Sequence, residues 1–350
     1  MTTYKGINGF AVQSVATDPS PLNEGQVWYN NATYAFKLAG IQAAAWASGG
    51  NLNTARSQIG GAGTQTAALA FGGAVSDPGM TGATELYNGT SWTTNPASLN
   101  TTRRGLGGAG TQTSALGFGG TIPAPLSNSA ASESWNGSAW TNTPSLNQLR
   151  GNPGGAGTQT AALAFGGEIG PYTTSTELWS GSSWTTNPTG LNTARTQLGG
   201  CGTQTAALGF GGEVPSPTNF STATESWNGT SWTSVNSLNT GRTGITGVGV
   251  QTLAIAFGGI ISGPALTGAT ELWNGTSWTT NPTSMSTARR LMGSSGTQTA
   301  ALGFGGQNPY QATTEEFTGA SVATKTITTS KYTMIMKNDI NNLIRRKHGI

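Results

Sequence analysis

Short apolar runs recur along the chain at a nearly constant interval. Each run begins with Gln-Thr and ends in Phe-Gly-Gly. The six copies start at Gln65, Gln112, Gln159, Gln204, Gln251 and Gln298, with spacings of 47, 47, 45, 47 and 47 residues. A period of about 45 residues lies in the range of propeller repeats. The pattern therefore predicts a repeat protein in which each copy is one structural unit.

Each repeat contains four short segments with the composition of β-strands. In the first copy these segments are SQIGGAGT, TAALAF, TELY and TSWT. A Gly-rich first strand suits close approach to a central axis, and a second strand that is apolar on both faces suits burial between neighbouring sheets. No segment of the repeats has helical periodicity. We therefore predict an all-β protein, a six-bladed β-propeller over residues 44–325.

The third and fourth strands are predicted to form a tight hairpin. Asn88-Gly89 separates them in the first repeat, and Asn-Gly is the strongest signal for a two-residue turn. A two-residue turn places Tyr87 opposite Thr90 and Glu85 opposite Trp92. Tyr87 and Trp92 would then be diagonal neighbours on one face of the hairpin.

The spacing of tryptophans predicts how the ring closes. A Trp follows the third strand in the first five repeats, but Val322 stands at that position in the sixth. Trp46 precedes the first repeat and lies ten residues before Arg56. The intervals from each later Trp to the next recurring Arg are likewise 10 or 11 residues. The strand around Trp46 is therefore expected to complete the sheet of the last repeat, which removes its open edge.

One Arg and one Glu recur in every repeat. The arginines are Arg56, Arg103, Arg150, Arg195, Arg242 and Arg289, and the glutamates are Glu85, Glu133, Glu177, Glu225, Glu271 and Glu315. This recurrence favours one ion pair per repeat that ties the blades together, rather than a catalytic pair, which would more readily break the repeat.

The two ends of the chain differ from the repeats. Residues 1–43 are predicted to be a docking segment with a β-hairpin around Asn30-Asn31, and residues 326–350 a basic tail with a short helix over 331–347. Residues 325–350 carry six Lys or Arg and one Asp, a net charge of +5. We expect residues 1–40 and 326–350 to dock on other proteins, the tail through salt-sensitive attraction to an acidic surface.

Composition excludes several classes of function. Only 8% of the residues are charged, and residues 44–324 hold eight Arg against ten acids, so a basic face for nucleic acid is not expected. No apolar run is long enough to insert into a membrane, and the start of the chain lacks the apolar core of a signal peptide. Glycine is abundant, with 54 residues, and 28 aromatic residues indicate a folded core.

The sequence offers little for catalysis. The single His348 lies outside the repeats, which argues against a Ser-His-Asp relay and a histidine metal site. Cys201 replaces a recurring Ala and is interpreted as a packing residue, while Glu168 and Glu213 are interpreted as loop carboxylates. We predict no catalytic, cofactor-binding or metal-binding residues, with a carbohydrate-active enzyme as the minor alternative.

The repeats and the segment before them carry two resemblances to known families. The order Arg, Gly-Gly, Glu-x-aromatic, Trp resembles the kelch repeat over residues 46–322, which implies a β-propeller. The segments Glu24–Asn30 and Ala45–Arg56, together with the Gly-Thr-Gln-Thr repeats, resemble virion proteins of marine bacteriophages. This second resemblance implies a non-enzymatic virion protein, tail-associated or adhesin-like, that assembles in the host cytoplasm as a homo-oligomer with other virion proteins. Its expected role is receptor binding to a host surface glycan; the alternative is a purely structural part such as a capsid decoration or tail connector.

The segments between Gly-Gly and the next Glu vary most among the repeats. They link the second strand to the third, so all six are expected on one face, where variable loops on a rigid scaffold commonly bind ligands. The candidate ligand-binding residues are Tyr172, Phe220 and Tyr310, followed by Asp77, Met80 and Leu266.

The recurring tryptophans allow a second interpretation of the site. Packing between blades is the simpler role for such large rings. The alternative is a rim of exposed, sugar-stacking platforms formed by Trp92, Trp140, Trp184, Trp232 and Trp278.

Overall fold

A computed structural model describes residues 3–5, 11–123, 125–216, 220–263, 265–307 and 309–327. Within these ranges every regular element is a β-strand, and the predicted all-β class is confirmed. The chain divides into two compact units, one formed by Met1–Ala43 with Ala320–Ile350 and the other by Ala44–Gly319. The helix expected over residues 331–347 lies outside the described residues.

The strands are short, and most contain four residues. In chain order they are β1 (Thr3–Lys5), β2 (Ala11–Val15), β3 (Val27–Asn30), β4 (Ala35–Gln42), β5 (Ala45–Ser48), β6 (Gly60–Gly63), β7 (Ala68–Phe71), β8 (Thr84–Tyr87), β9 (Trp92–Asn95), β10 (Gly107–Gly110), β11 (Ala115–Phe118), β12 (Thr121–Ile122), β13 (Ser127–Asn128), β14 (Ser132–Trp135), β15 (Trp140–Thr143), β16 (Gly154–Gly157), β17 (Ala162–Phe165), β18 (Thr176–Trp179), β19 (Trp184–Asn187), β20 (Gly199–Gly202), β21 (Ala207–Phe210), β22 (Thr224–Trp227), β23 (Trp232–Val235), β24 (Thr246–Val250), β25 (Leu253–Phe257), β26 (Ile260–Ile261), β27 (Ala265–Leu266), β28 (Thr270–Trp273), β29 (Trp278–Asn281), β30 (Gly293–Gly296), β31 (Ala300–Phe304), β32 (Thr314–Thr318) and β33 (Ser321–Thr326).

The first unit is a five-stranded sheet with the order β1-β2-β3-β4-β33. The hairpin expected around Asn30-Asn31 is present as β3 and β4, but it lies inside this larger sheet. Strand β33 pairs antiparallel with β4, with Val322 opposite Ile41. Residues 320–325, which the spacing assigned to the last repeat, therefore belong to the terminal sheet.

A carboxylate organises one face of this terminal sheet. Asp18 Oδ1 accepts hydrogen bonds from Trp28 Nε1 at 2.9 Å and Asn30 Nδ2 at 2.7 Å, and Lys37 Nζ lies 2.8 Å from Asp18 Oδ2. The Trp28 side chain is fully buried. The hydrogen bond from Lys37 is the largest cause that lowers the pKa of Asp18, and the hydrogen bonds from Asn30 and Trp28 lower it further. Together they bring this pKa to about 2.

This arrangement predicts an acid transition in the terminal sheet. The folded pKa of Asp18 is about 2, below the ordinary value of about 4 for an unfolded Asp. Its stabilising effect is therefore complete above about pH 4 and is lost as the pH falls towards the folded pKa. The indole N–H signal of Trp28, followed by NMR, should shift with a midpoint near the folded pKa, and Asp18→Asn should abolish that step. A midpoint at the ordinary Asp value would contradict the assignment.

The second unit repeats one sheet design. The described residues form six four-stranded antiparallel sheets: β6-β7-β8-β9, β10-β11-β14-β15, β16-β17-β18-β19, β20-β21-β22-β23, β24-β25-β28-β29 and β30-β31-β32-β5. Their first strands contact one another in sequence, and β6 contacts both β10 and β30. This repetition agrees with a propeller-like repeat fold.

The strand around Trp46 completes the sheet of the last repeat, as its spacing predicted. Strand β5 pairs antiparallel with β32, and Trp46 lies opposite Phe317. The Trp46 ring also lies 4.9 Å from the ring of Phe257 in the neighbouring sheet, and its Nε1 donates to Thr270 Oγ1 at 2.9 Å. The closing strand is thus tied both to its own sheet and to the one before it.

The predicted register of the third-to-fourth hairpin was wrong. Tyr87 pairs directly with Trp92, so the connection contains the four residues Asn88–Ser91 instead of two. The side-chain Oδ1 of Asn88 accepts the backbone N–H groups of Thr90 and Ser91 at 2.9 and 2.8 Å. This side-chain capping stabilises a longer turn that Asn-Gly alone does not indicate.

The fourth-strand tryptophans fill the space between sheets. Each Nε1 donates to a hydroxyl on the third strand of the preceding sheet. These pairs are Trp46 with Thr270, Trp92 with Thr314, Trp140 with Thr84, Trp184 with Ser132, Trp232 with Thr176 and Trp278 with Thr224. Packing between sheets explains the recurrence. The alternative of exposed platforms is wrong, because the five side chains it requires are only 5–6% exposed: Trp92, Trp140, Trp184, Trp232 and Trp278.

The recurring glutamines join neighbouring sheets through their side-chain amides. Each Nε2 donates to a backbone carbonyl on the third strand of the preceding sheet. The pairs are Gln65 with Phe317, Gln112 with Tyr87, Gln159 with Trp135, Gln204 with Trp179, Gln251 with Trp227 and Gln298 with Trp273. The bond from Gln65 connects the first sheet to the last, so the series returns to its start.

The predicted Arg-Glu ion pairs are present, one in each repeat. The paired atoms lie 2.5–2.9 Å apart and all six arginine side chains are fully buried. The side chains join segments of one repeat, so they do not themselves bridge sheets. Instead, the backbone carbonyl of each Arg accepts an N–H from the Gly-Gly of the preceding sheet, as between Arg103 and Gly73 or between Arg56 and Gly306. Burial lowers the pKa of each Arg, and its Glu partner opposes that shift.

Candidate functional site

Six residues form a closed circuit of backbone hydrogen bonds in the second unit. Each is the second residue after a recurring Arg, and each donates its N–H to the carbonyl of the equivalent residue in the preceding repeat. The donor and acceptor pairs are Gln58 to Leu291, Gly105 to Gln58, Asn152 to Gly105, Gln197 to Asn152, Gly244 to Gln197 and Leu291 to Gly244. The circuit therefore passes once through every repeat and ends where it began.

All six residues of this circuit adopt the left-handed conformation. Their φ angles lie between +48° and +61°. Glycine accepts this conformation freely and asparagine tolerates it, whereas Gln58, Gln197 and Leu291 each incur about 1 kcal/mol or more. Such strained positions persist where surrounding structure fixes them, and they concentrate at functional sites.

A depression of about 540 Å³ lies over one part of this circuit. It is lined by Gln58, Arg104, Thr121, Leu126, Ser127, Asn128, Leu149, Asn152, Glu168, Ile169, Gly170 and Gln197. Three circuit residues thus contribute, and the other residues come mainly from two of the variable loops. The volume is in the range of small-molecule sites.

Hydrogen bonds hold the walls of the depression in place. Strands β12 and β13 form a hairpin in which Thr121 pairs with Asn128. Asn128 Nδ2 donates to the Glu168 carbonyl at 2.7 Å, which connects the hairpin to the loop of the next repeat. Glu168 itself bridges to Gly151 and Tyr172. The two loops therefore form a cross-braced wall.

Polar groups of the depression are mostly uncharged amides. Gln58 Nε2 donates to Asn152 Oδ1 at 3.1 Å, whereas Gln197 Oε1 is enclosed and has no hydrogen-bond partner within the described structure. Arg104, whose side chain is 18% exposed, lies 3.7 Å from the exposed Asp77 carboxylate. The site thus combines four amides, those of Gln58, Asn128, Asn152 and Gln197, with one guanidinium and nearby carboxylates.

Most of the residues that line the site come from one half of an internal duplication, and Gln197 comes from the other. Equivalent residues of repeats 1–3 and 4–6 are offset by 139 positions at each recurring Gln and Arg. Several lining residues have equivalents with fewer polar groups or charges. Asn152 corresponds to Leu291, Arg104 to Thr243, Thr121 to Ile260 and Glu168 to Gln307. The lining therefore differs in polarity and charge from the equivalent positions of the other half.

None of the six candidate residues from the variable loops lines this depression. Met80, Tyr172, Phe220, Leu266 and Tyr310 are half-buried, and Asp77 is exposed. Tyr172 Oη donates to Glu213 Oε1 at 2.6 Å, and burial, with that hydrogen bond, raises the pKa of the Tyr172 phenol. Asp77 faces Arg104, so it acts on the site through that side chain.

The lining residues Gln58, Arg104, Asn152 and Gln197 were not identified from the sequence. They follow the recurring Arg in a segment that looks like a linker, and their proximity depends on contacts between repeats. Comparing the two halves at an offset of 139 would have marked Arg104 and Asn152, because these positions differ between the halves.

Other chemically active groups lie away from this site. Cys201 is buried among apolar side chains, and burial raises the pKa of its thiol to about 12. Among the described residues, no three His, Cys, Asp or Glu side chains are grouped closely enough to hold a metal ion. The part of the chain that the structure describes also contains no helix with the length and apolar character needed to cross a membrane.

Comparison with known proteins finds no matching family model and no significantly similar curated protein.

Proposed function

We propose that residues 44–319 form a six-bladed, kelch-like β-propeller. Two features support it: the closed hydrogen-bond circuit that includes Gln58 and Leu291, and the bond from Gln65 that joins the first sheet to the last. In this arrangement the Gly-rich first strands surround the axis. The circuit closes the axial opening and forms a floor for the depression.

We infer that the protein is a non-enzymatic bacteriophage virion component that binds a polymer on the host surface. The virion assignment rests on the segments Glu24–Asn30 and Ala45–Arg56, which resemble marine phage proteins. The binding role rests on one observation: polar side chains line the depression, and several of them differ at the equivalent positions of the duplication, where Asn152 corresponds to Leu291 and Glu168 to Gln307.

Binding suits this geometry better than hydrolysis. Glu168 is the carboxylate among the residues that line the depression. Glycoside hydrolysis ordinarily uses two carboxyl groups that flank the scissile bond. The lining therefore favours recognition of a sugar over its cleavage.

The terminal unit is proposed to attach the protein to the particle. Its sheet is built from both ends of the chain, since β33 pairs with β4. Residues 1–40 and the basic segment 326–350 would contact other virion proteins or further copies of the chain. A net charge of +5 over residues 325–350 makes salt-sensitive attachment the expected behaviour.

The proposed role predicts loss of host adsorption when the walls are altered. Antibody labelling of intact particles first establishes that the protein is exposed on them. Residues 122–127 and 169–171 are then replaced by Gly/Ser segments of equal length. Adsorption of the altered particles to host cells should fall by about tenfold or more, since these loops supply the walls.

The control variants change the turns that follow the third strands, at the other end of these strands from the variable loops. Thr90 and Thr276 are exposed in the four-residue turns there, and Thr90→Asp with Thr276→Asp should leave adsorption unchanged. If the wall variants fold and adsorb like wild type, the receptor-binding role is wrong. A structural role in the particle then becomes the better explanation.

A further inference from the structure

The depression over the circuit has a composition that identifies its ligand class. Resting on the proposed function, we infer that it binds a neutral, hydroxyl-rich sugar residue of the surface polymer. The residues that carry this inference are Gln58, Asn152 and Gln197 on the floor and Arg104 and Glu168 at the walls.

The floor matches the hydrogen-bonding character of sugar hydroxyls. A carboxamide offers both donors and acceptors, and a hydroxyl likewise donates and accepts. Gln58 and Asn152 are already bonded to each other at 3.1 Å, which fixes the orientation of both amides.

The charge balance of the site disfavours an anionic ligand. Arg104 is the cationic side chain of the lining, and it lies 3.7 Å from the Asp77 carboxylate. Glu168 adds a second negative charge at the wall. Two carboxylates therefore accompany one guanidinium, so a uronic acid or phosphate would meet repulsion that a neutral sugar avoids.

Aliphatic side chains complete the lining. Leu126 and Leu149 are 51% and 46% exposed, and Ile169 contributes a third aliphatic side chain to the same depression. Contact with the C–H face of a sugar ring would cover part of this apolar surface. A ligand with one apolar face and hydroxyls at its edge satisfies both the walls and the floor.

The opposite half of the ring provides an internal comparison. Leu291 occupies the position equivalent to Asn152 and has a φ of +54°, close to the +48° of Asn152. The fold therefore accepts leucine in this conformation. Asn152→Leu and Glu168→Gln each copy a residue that the chain already carries in its other half, so both variants are expected to fold.

The experiment measures binding of defined trisaccharides to the full-length protein by calorimetry. The neutral probes are maltotriose, mannotriose and galactotriose, and trigalacturonic acid is the anionic comparison. At least one neutral trisaccharide should bind. Asn152→Leu should weaken that binding by about tenfold, the effect of losing one hydrogen bond to a ligand, whereas Glu168→Gln keeps a hydrogen-bonding side chain and should change it less. The matched controls Thr243→Ala and Gln307→Ala, in the opposite half, should change it by no more than about twofold.

Three results would overturn the inference. They are tighter binding of trigalacturonic acid than of the neutral probes, equal losses in the site and control variants, and no binding of any probe at about 10 mM.

Competition with particle adsorption separates this failure from that of the proposed function. If purified wild-type protein blocks adsorption yet binds no trisaccharide, only the ligand class is wrong. If it does neither, the receptor-binding role fails as well.

Discussion

A fragment spanning residues 49–319 is expected to unfold or aggregate under conditions in which residues 44–319 remain folded. The two fragments differ by five residues that contain β5, the fourth strand of the last sheet. Its loss opens the edge of β32 and uncovers Phe317 and Phe257, which Trp46 contacts. Loss of a large aromatic contact alone typically costs about 3–5 kcal/mol, a large share of the roughly 5–15 kcal/mol that stabilises a domain.

Thermal unfolding by circular dichroism, with gel filtration at equal concentration, distinguishes the two fragments. The longer fragment is the control, because it ends at the same residue and lacks the same terminal unit. An exposed strand edge promotes association with other chains, so the shorter fragment should also elute as larger species. Equal melting temperatures and monomeric behaviour for both would show that β5 is not needed for closure.

Spacing was informative wherever a repeat imposed the same contact six times. The position of Trp46 relative to Arg56 repeats the interval of the other units, so the closing strand could be predicted before any pairing was known. The Arg-Glu pairs were predictable for the same reason. A buried pair must keep both partners, and the sequence keeps both in each copy.

The errors came from interactions that the repeat pattern does not encode. At Asn88-Gly89 the side-chain amide caps two backbone N–H groups, so a four-residue turn wins over the two-residue turn. At Val322 the sixth repeat ends early, because this segment pairs with β4 near the other end of the chain. Neither partner is visible from local composition.

The floor of the site was missed because its geometry is a property of the whole ring. Gln58 and Leu291 carry no local signal for a left-handed backbone, yet each adopts a positive φ. Their hydrogen bonds reach equivalent residues one repeat away, and the last bond requires the first and last repeats to meet. Two of the variable loops do supply the walls. The sequence prediction favoured the aromatic residues Tyr172 and Phe220 of such loops and did not include the amides on the floor.

The buried ion pairs supply the second large effect. Arg103 and Glu133 lie 2.8 Å apart with side chains that are 0% and 1% exposed. Arg103 also donates to the Gly119 carbonyl, and Glu133 accepts the N–H of Asn100. Both ions have therefore exchanged water for fixed partners. Removing one of them leaves the other charge buried without compensation.

Arg103→Met is accordingly expected to lower the free energy of unfolding by about 3–5 kcal/mol. Urea denaturation followed by tryptophan fluorescence measures the loss. Arg104→Met is the matched control. Arg104 follows Arg103 directly, and its guanidinium lies 3.7 Å from the carboxylate of Asp77, whose side chain is 80% exposed. That exposed pair should contribute no more than about 1 kcal/mol.

In Arg103→Met/Glu133→Gln the uncompensated charge is absent, so the double variant should be more stable than the single one. Similar losses for Arg103→Met and Arg104→Met would mean that burial of the pair does not determine its importance. Greater stability of the single variant than of the double one would show that the uncompensated Glu133 charge is not the source of the loss.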